Sequence, residues 1–464
     1  MKHPFQHILL DKTGDYFFAA AINSVFLFKI STGSAEAKLL ASWTDEVDPY
    51  YTIRKHHKEL LEQYEKQQRE KKEAEDAAKA EEEPATVVNE NNKRVIPEEQ
   101  IPASTKQVMN KKPKLPLPGP GAPPTYTYIR DMCLSRDNQY LIVTTDNDKA
   151  VVIFKINYSE TEPSKVFELV KRQPISKRPS AVCTSMDDSK VIIADKFGDV
   201  YSIFLKDTEV IDDSKLVPIL GHVSMLTCVQ NAIDENGKEV VMTADRDEHI
   251  RISYFPKSYV IKKILFGHKE FISSFILPEW CNGKVLVSAG GDSFIATWLW
   301  QSAEEGKELK CKFEVDDLVK DKLNDKHLVP EKFQDDSGNL VEYCISKLVA
   351  LNKTKQIAVI FERISSVFIF DLSEDGELSF NKEYKVSSDI VTITAAKDQL
   401  ICSLDDMSQC LEIFDINEDK SLTVSKNASK LIESINNAND SVIGDIDELI
   451  PLFNTNYMRK RRLH

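Results

Sequence analysis

Near the middle of the chain one pattern is written twice. Gly221-His222 is followed by Thr-Ala-Asp-Arg-Asp-Glu-His-Ile-Arg-Ile-Ser over 243–253, and Gly267-His268 by Ser-Ala-Gly-Gly-Asp-Ser-Phe-Ile-Ala-Thr-Trp over 288–298. His222 and His268 stand 46 residues apart, and Asp247 and Asp292 stand 45 apart. A unit of this length, opening on Gly-His and closing on Asp-x5-Trp, signals four-stranded propeller blades. It also favours a binding platform over an enzyme.

Composition narrows what such a platform does. The 464 residues exceed one ordinary domain, but a closed propeller uses most of them as one unit. Apolar residues make up 42% of the chain, enough for a sizeable core. The net charge of −14 argues against nucleic-acid binding by the overall field, so any RNA contact needs a local basic patch or a basic partner. Eight cysteines stand singly with no CxxC pair. They read as buried thiols in a reducing compartment, with no zinc site spelled out. The N-terminus lacks the apolar run of a signal peptide, and no stretch of about 20 apolar residues spans a membrane. The expectation is a soluble, intracellular protein.

Each blade carries a polar tight turn followed by an apolar strand. Aligned on the first apolar residue after the turn, seven units emerge, at Val25, Val151, Val200, Ile250, Ile295, Val367 and Leu411. The steps between them are 126, 49, 50, 45, 72 and 44 residues. Four fit the blade period of about 40–50, and two require insertions. The predicted architecture is an all-β, seven-bladed WD-repeat propeller. Its first blade lies in 1–50, followed by a charged, Pro-rich insertion in 51–118 and blades 2–5 in 119–300. A Lys/Asp/Glu-rich insertion follows in 301–341, then blades 6–7 in 342–420 and a C-terminal tail with a basic end in 421–464. Propellers usually hide their sheet edges by joining chain start and end in one blade, and residues 3–10 are the candidate closing strand.

In the second copy His268, Ser288, Asp292 and Trp298 suit a buried network, from the Trp ring nitrogen through hydroxyl and imidazole to the turn carboxylate. The first copy keeps His222, Thr243 and Asp247 but has Ser253 where Trp is expected. A catalytic use of these His and Asp residues is the alternative. Recurrence at the blade period favours architecture, and Asp245 and Asp247 around Arg246 suit a tight turn better than an acid–base pair. No Walker-type, Rossmann, protease or kinase motif occurs.

Residues 53–83 contain no Gly or Pro, and Glu62/Lys66 and Glu65/Arg69 are helix-favouring pairs, so the segment reads as a solvated helix or as disorder. The Pro-rich stretch 116–124 reads as an extended return to the second blade. The basic cluster at 459–462 reads as a nuclear import signal or phosphate contact, or as a solvated tail.

Several strings lie outside the generic blade pattern. They are Pro-Gly-Ala-Pro-Pro with Tyr-x-Tyr-Ile-Arg (120–130), Ser-Lys-Arg-Pro (176–179), Ile-Ala-Asp-Lys-Phe-Gly-Asp-Val-Tyr (193–201) and Ile-Leu-Gly-His-Val-Ser-Met-Leu-Thr (219–227). Ala-Asp-Arg-Asp-Glu-His-Ile (244–250), Phe-Gly-His-Lys-x-Phe-Ile-Ser (266–273) and Leu-Ile-Pro-Leu-Phe-Asn (449–454) complete the set. With them the chain resembles the WD-repeat, non-catalytic subunit of the eukaryotic tRNA (guanine-N7)-methyltransferase in its fungal form. The resemblance implies a nuclear, non-enzymatic chain with no cofactor of its own. It would form a heterodimer with a catalytic subunit that binds S-adenosylmethionine and methylates a variable-loop guanosine of tRNA. That subunit would hold most of the tRNA contact. The family's docking position is basic and matches Arg251, which strand alternation turns away from Ile250 and Ile252. Arg246, Lys196, Phe197 and Asp199 are the further docking candidates, and Lys177 and Arg178 are candidate tRNA contacts. Two rivals stand beside this reading. One is a generic propeller adaptor, for example for a ubiquitin ligase. The other is a propeller enzyme working in the central channel, for which no converging acid or His set can be assigned.

Overall fold

A computed structural model describes residues 2–30, 37–47, 51–80, 112, 128–146, 148–304, 306–334, 338–425, 428–441 and 452–461. The chain divides into two compact units, one of residues 1–46 with 126–464 and one of residues 47–125.

The larger unit is a ring of seven four-stranded antiparallel sheets. The blades span 7–44, 129–174, 179–221, 226–265, 272–314, 345–385 and 390–424. The seven residues used to align the repeats all fall on third strands, from Ser24–Lys29 in blade 1 to Leu411–Ile416 in blade 7. Second and third strands are buried on both faces, because each blade packs against a neighbour on either side. Seven apolar clusters result, one per blade junction, including Phe17, Phe26 and Phe28 of blade 1 with Ile401, Leu411 and Ile413 of blade 7. The fourth strand of blade 5 is Leu309–Glu314, inside the segment expected as insertion, and that of blade 7 is Leu422–Val424, inside the expected tail.

First strands line the centre and carry polar residues for a structural reason. Each hydrogen-bonds to the next blade's first strand, or to the turn just beside it. Gln6 Nε2 donates to the Ile129 carbonyl (3.3 Å), the Val182 amide to Asp131 (3.0 Å), and Cys183 Sγ to Asn231 (3.7 Å). Thr227 Oγ1 donates to the Ile272 carbonyl and Ser273 Oγ to that of Ile345, both at 2.5 Å. Lys347 Nζ donates to Thr392 (3.0 Å), and the Leu10 amide donates to Thr394 (3.3 Å), completing the circle.

Closure does not use the strand expected at residues 3–10. His7–Leu10 pairs only within its own blade, whose four strands are consecutive. A helix, Ala428–Ala438, performs the closure instead. Its Leu431, Ile432 and Ile435 join the core between blades 7 and 1. Backbone clamps follow: His3 N donates to the Ser441 carbonyl (2.9 Å), Asn439 Nδ2 to the His3 carbonyl (3.0 Å) and Ser403 Oγ to that of Phe5 (2.6 Å).

In the second unit, Tyr51–Ala80 is one 30-residue helix. Glu62, Glu65 and Lys66 are exposed, and His57, Leu60, Leu61, Tyr64 and Gln67 form a half-buried stripe at helical spacing. The Pro-rich stretch 116–124 lies outside the described residues. No described helix is long and apolar enough to cross a membrane.

Candidate functional site

Strand order sets the turns between second and third strands, and the links to each following blade, at one end of the ring. This end is called the top here. Two top turns carry most of the expected docking residues. Both are held by an aspartate that accepts from its own turn's amides. Asp195 Oδ1 accepts from Phe197 (2.8 Å) and Asp199 (3.0 Å), and Asp245 Oδ1 accepts from Asp247 (2.8 Å) and His249 (3.0 Å). Gly198 sits at φ +104, and a Cβ there would stand 2.4 Å from the His222 carbonyl oxygen. The blade 3 turn therefore rests directly on the link leading to blade 4.

The first copy builds its network on a different carboxylate from the one its spacing predicts. His222 Nδ1 pairs with Asp245 (2.8 Å), not Asp247, while Nε2 meets Thr243 Oγ1 (2.8 Å). The first copy has a carboxylate two residues after Thr243, where the second copy has Gly290 two residues after Ser288, and His222 takes this nearer acid. Burial pushes the Asp245 carboxyl up, but hydrogen bonds from His222 and the His249 amide outweigh this and hold it below its ordinary value. Asp247 points elsewhere, accepting from Ser224 Oγ and pairing with Lys460. In the second copy the four residues form one line: Trp298 Nε1 donates to Ser288 Oγ (2.8 Å), which meets His268 Nε2 (2.7 Å), and His268 Nδ1 meets Asp292 (2.7 Å). In blade 3 no described His reaches Asp195. Its Oδ2 is buried without a partner, and burial raises its pKa.

Arg251 lies on the third strand of blade 4, half-buried between the buried Ile250 and Ile252. Its guanidinium is committed to its own surroundings. Nε donates to Ser253 (3.0 Å), Nη1 to the Gly221 carbonyl (2.9 Å) and Nη2 to that of Ser258 (3.3 Å). Ser253 thus fills the missing Trp position by orienting this arginine. Arg246 Nε donates to the Met458 carbonyl (2.5 Å).

The docking and tRNA candidates of blade 3 form one patch. Phe197 is 57% exposed, with Lys177 Nζ 4.7 Å and Lys196 Nζ 5.4 Å from its ring centre. The Lys196 amide donates to the Arg178 carbonyl (3.0 Å), and Arg178 pairs with Asp146 (3.2 Å). Burial, then Arg178, lowers the Lys196 pKa. Asp199 is half-buried opposite Gly221.

Blades 3 and 4 and their links carry most of the exposed apolar side chains, three of which, Phe197, Val223 and Phe266, lie at the top. Of the 18 large exposed hydrophobics among the described residues, 11 fall between Phe197 and Phe266. Val223 and Phe266 flank the Arg251 region, with Phe266 edge-on to His249 (5.9 Å). A surface of this kind, rimmed by charge, is what a protein partner covers.

The basic tail was legible as composition but not as structure. Arg459, Lys460 and Arg461 lie against the top of blades 4 to 6, while Arg462 is outside the described residues. Its acceptors, scattered at Asp247, Glu270 and Glu342, carry no signature in sequence. The shared Ala-Asp at 194–195 and 244–245 does mark the two anchoring aspartates.

The model of the tRNA methyltransferase TRM82 WD40 domain matches residues 17–217 and 213–426. The chain belongs to the TRM82 family. Among TRM82 relatives, a protein of Debaryomyces hansenii named tRNA (guanine-N(7)-)-methyltransferase non-catalytic subunit is 38% identical over 477 residues, covering all of both chains. Its namesake in Saccharomyces cerevisiae is 31% identical over 494 residues, covering 100% of this chain and 99% of that one. Like them, this TRM82-family chain is not the catalytic subunit. The solved structure of U3-55K shares the fold, with a TM-score of 0.52 at 13% identity over 87% of this chain and 89% of that one.

Proposed function

We propose that this chain is the non-catalytic subunit of a tRNA (guanine-N7)-methyltransferase. It docks through blades 3 and 4 on a catalytic subunit and holds that subunit in an active shape. The catalytic subunit binds S-adenosylmethionine and carries most of the tRNA, forming N7-methylguanosine in the variable loop. The observation that carries this reading is full-length similarity to relatives of that name. The exposed apolar surface around Arg251 supports the docking face. Lys177 and Arg178 would add phosphate contacts at its edge. The complex works in the nucleus. An import signal at 459–462 would have to be read before the tail settles on the ring.

The test is a tRNA methylation assay with this chain, the catalytic subunit and both together. Activity is expected at full level only from the pair, and methyl transfer by this chain alone overturns the reading. Arg251→Glu is expected to abolish co-purification with the catalytic subunit while the ring still melts cooperatively. Wild-type yield of the complex at moderate salt removes Arg251 from the interface. A stoichiometric partner other than a methyltransferase would favour an adaptor.

A further inference from the structure

Residues 456–461 lie across the tops of three blades. Arg459 is the anchor. Its Nη2 donates to the carbonyls of Gly291 (2.7 Å) and Tyr343 (2.9 Å), its Nη1 pairs with Glu270 (3.2 Å), and its guanidinium stands 5.8 Å from the Phe271 ring centre. Arg461 pairs with Glu342 (2.5 Å), and the Asn456 amide donates to Glu362 (2.9 Å). Arg459 and Arg461 are almost buried, with side chains 13% and 12% exposed. Toward blade 4 the hold is lighter. Lys460, half-exposed, pairs with Asp247, and Arg246 reaches the Met458 carbonyl. Acidic side chains and outward carbonyls at this spacing suit a short peptide rich in arginine and lysine. A cavity of ≈ 210 Å³ remains between the tail and blade 6, lined in part by His327, Arg363, Asn456 and Tyr457, so the tail does not fill its seat.

We propose that this acidic slot is a receptor for a basic peptide, occupied in cis by residues 456–461 in competition with the protein partner docking on the Arg246–Asp247 turn. The proposal rests on the docking face argued above. Arg246 and Asp247 are the charged apex of that turn, and the tail engages both. A partner that uses them must release Met458 and Lys460, while Arg459 and Arg461 keep the tail tethered at blades 5 and 6. Exposed pairs such as Lys460–Asp247 contribute little, so the exchange is easy.

Two chain variants, one peptide and one substitution in the slot test this. Lys460→Glu and a chain ending at residue 451 are compared with the full chain for affinity to the catalytic subunit, after thermal melts establish that each is folded. Lys460→Glu is expected to bind roughly two- to fivefold more tightly, and the shortened chain at least as tightly as Lys460→Glu. Separately, a fluorescent peptide of residues 452–464 is titrated onto the shortened chain. It should bind saturably, weaken with salt and weaken further with Glu342→Gln. Unchanged or reduced affinity for the catalytic subunit in both variants overturns the competition. No peptide binding by a folded shortened chain overturns the receptor. Failure of the full chain to bind the catalytic subunit counts against the proposed function instead, and the peptide titration then decides the slot alone.

Discussion

Ser288 Oγ joins two buried rings at once, receiving the Trp298 Nε1 hydrogen and meeting His268 Nε2. Ser288→Ala would leave both nitrogens without a partner in a site closed to water. The cost of such orphaned groups is about 1–3 kcal/mol, expected as a lower denaturant midpoint at unchanged slope. An unshifted midpoint would mean that the network adds nothing to stability. The sequence makes this set readable because Trp298 terminates it unmistakably. In the first copy Trp is absent, and two aspartates flank Arg246. Regular spacing then selects Asp247, whereas the fold uses Asp245. Linear spacing measures chain length, but the imidazole selects by reach, and a turn can offer either carboxylate.

Elements differ in how far their residues disclose them. Third strands are sandwiched between neighbouring blades, so their middles are apolar, as at Val367–Phe370 within Ser366–Leu372. Fourth strands face water on the rim and alternate charge with apolar residues, as in Leu309–Glu314, which made that strand look like insertion. The closing helix was hidden differently. Its apolar face is narrow, set by Leu431, Ile432 and Ile435, and its role depends on a blade some four hundred residues earlier. Ile435 is fully buried there. Ile435→Ala is expected to cost about 2–5 kcal/mol. Hydrogen exchange should show blades 1 and 7 losing protection before blades 3 to 5. Uniform loss around the ring would deny the helix its closing role.

At the scale of the molecule, acid should attack the seam. His3 is buried, its Nε2 has no partner, and burial lowers its pKa to about 4. It is therefore neutral in the closed ring but takes up a proton once the seam opens. Stability is full above about pH 6.5 and falls as pH drops toward 4, by up to about 1.4 kcal/mol per pH unit. Asp131, raised to about 6 mainly by burial, works in the opposite sense over part of that range. The informative quantity is therefore the difference between the wild-type chain and His3→Gln. The variant should lose less stability between pH 7 and 5, and equal losses would clear His3. Each blade is built of consecutive strands, so each can pair its own strands as soon as it leaves the ribosome. The seam cannot: the His3 carbonyl waits for Asn439, 436 residues later. During almost the whole of synthesis the first blade carries one uncovered flank. A chain stalled or cut before blade 7 would be an open arc with two adhesive ends, able to join a second arc as readily as itself.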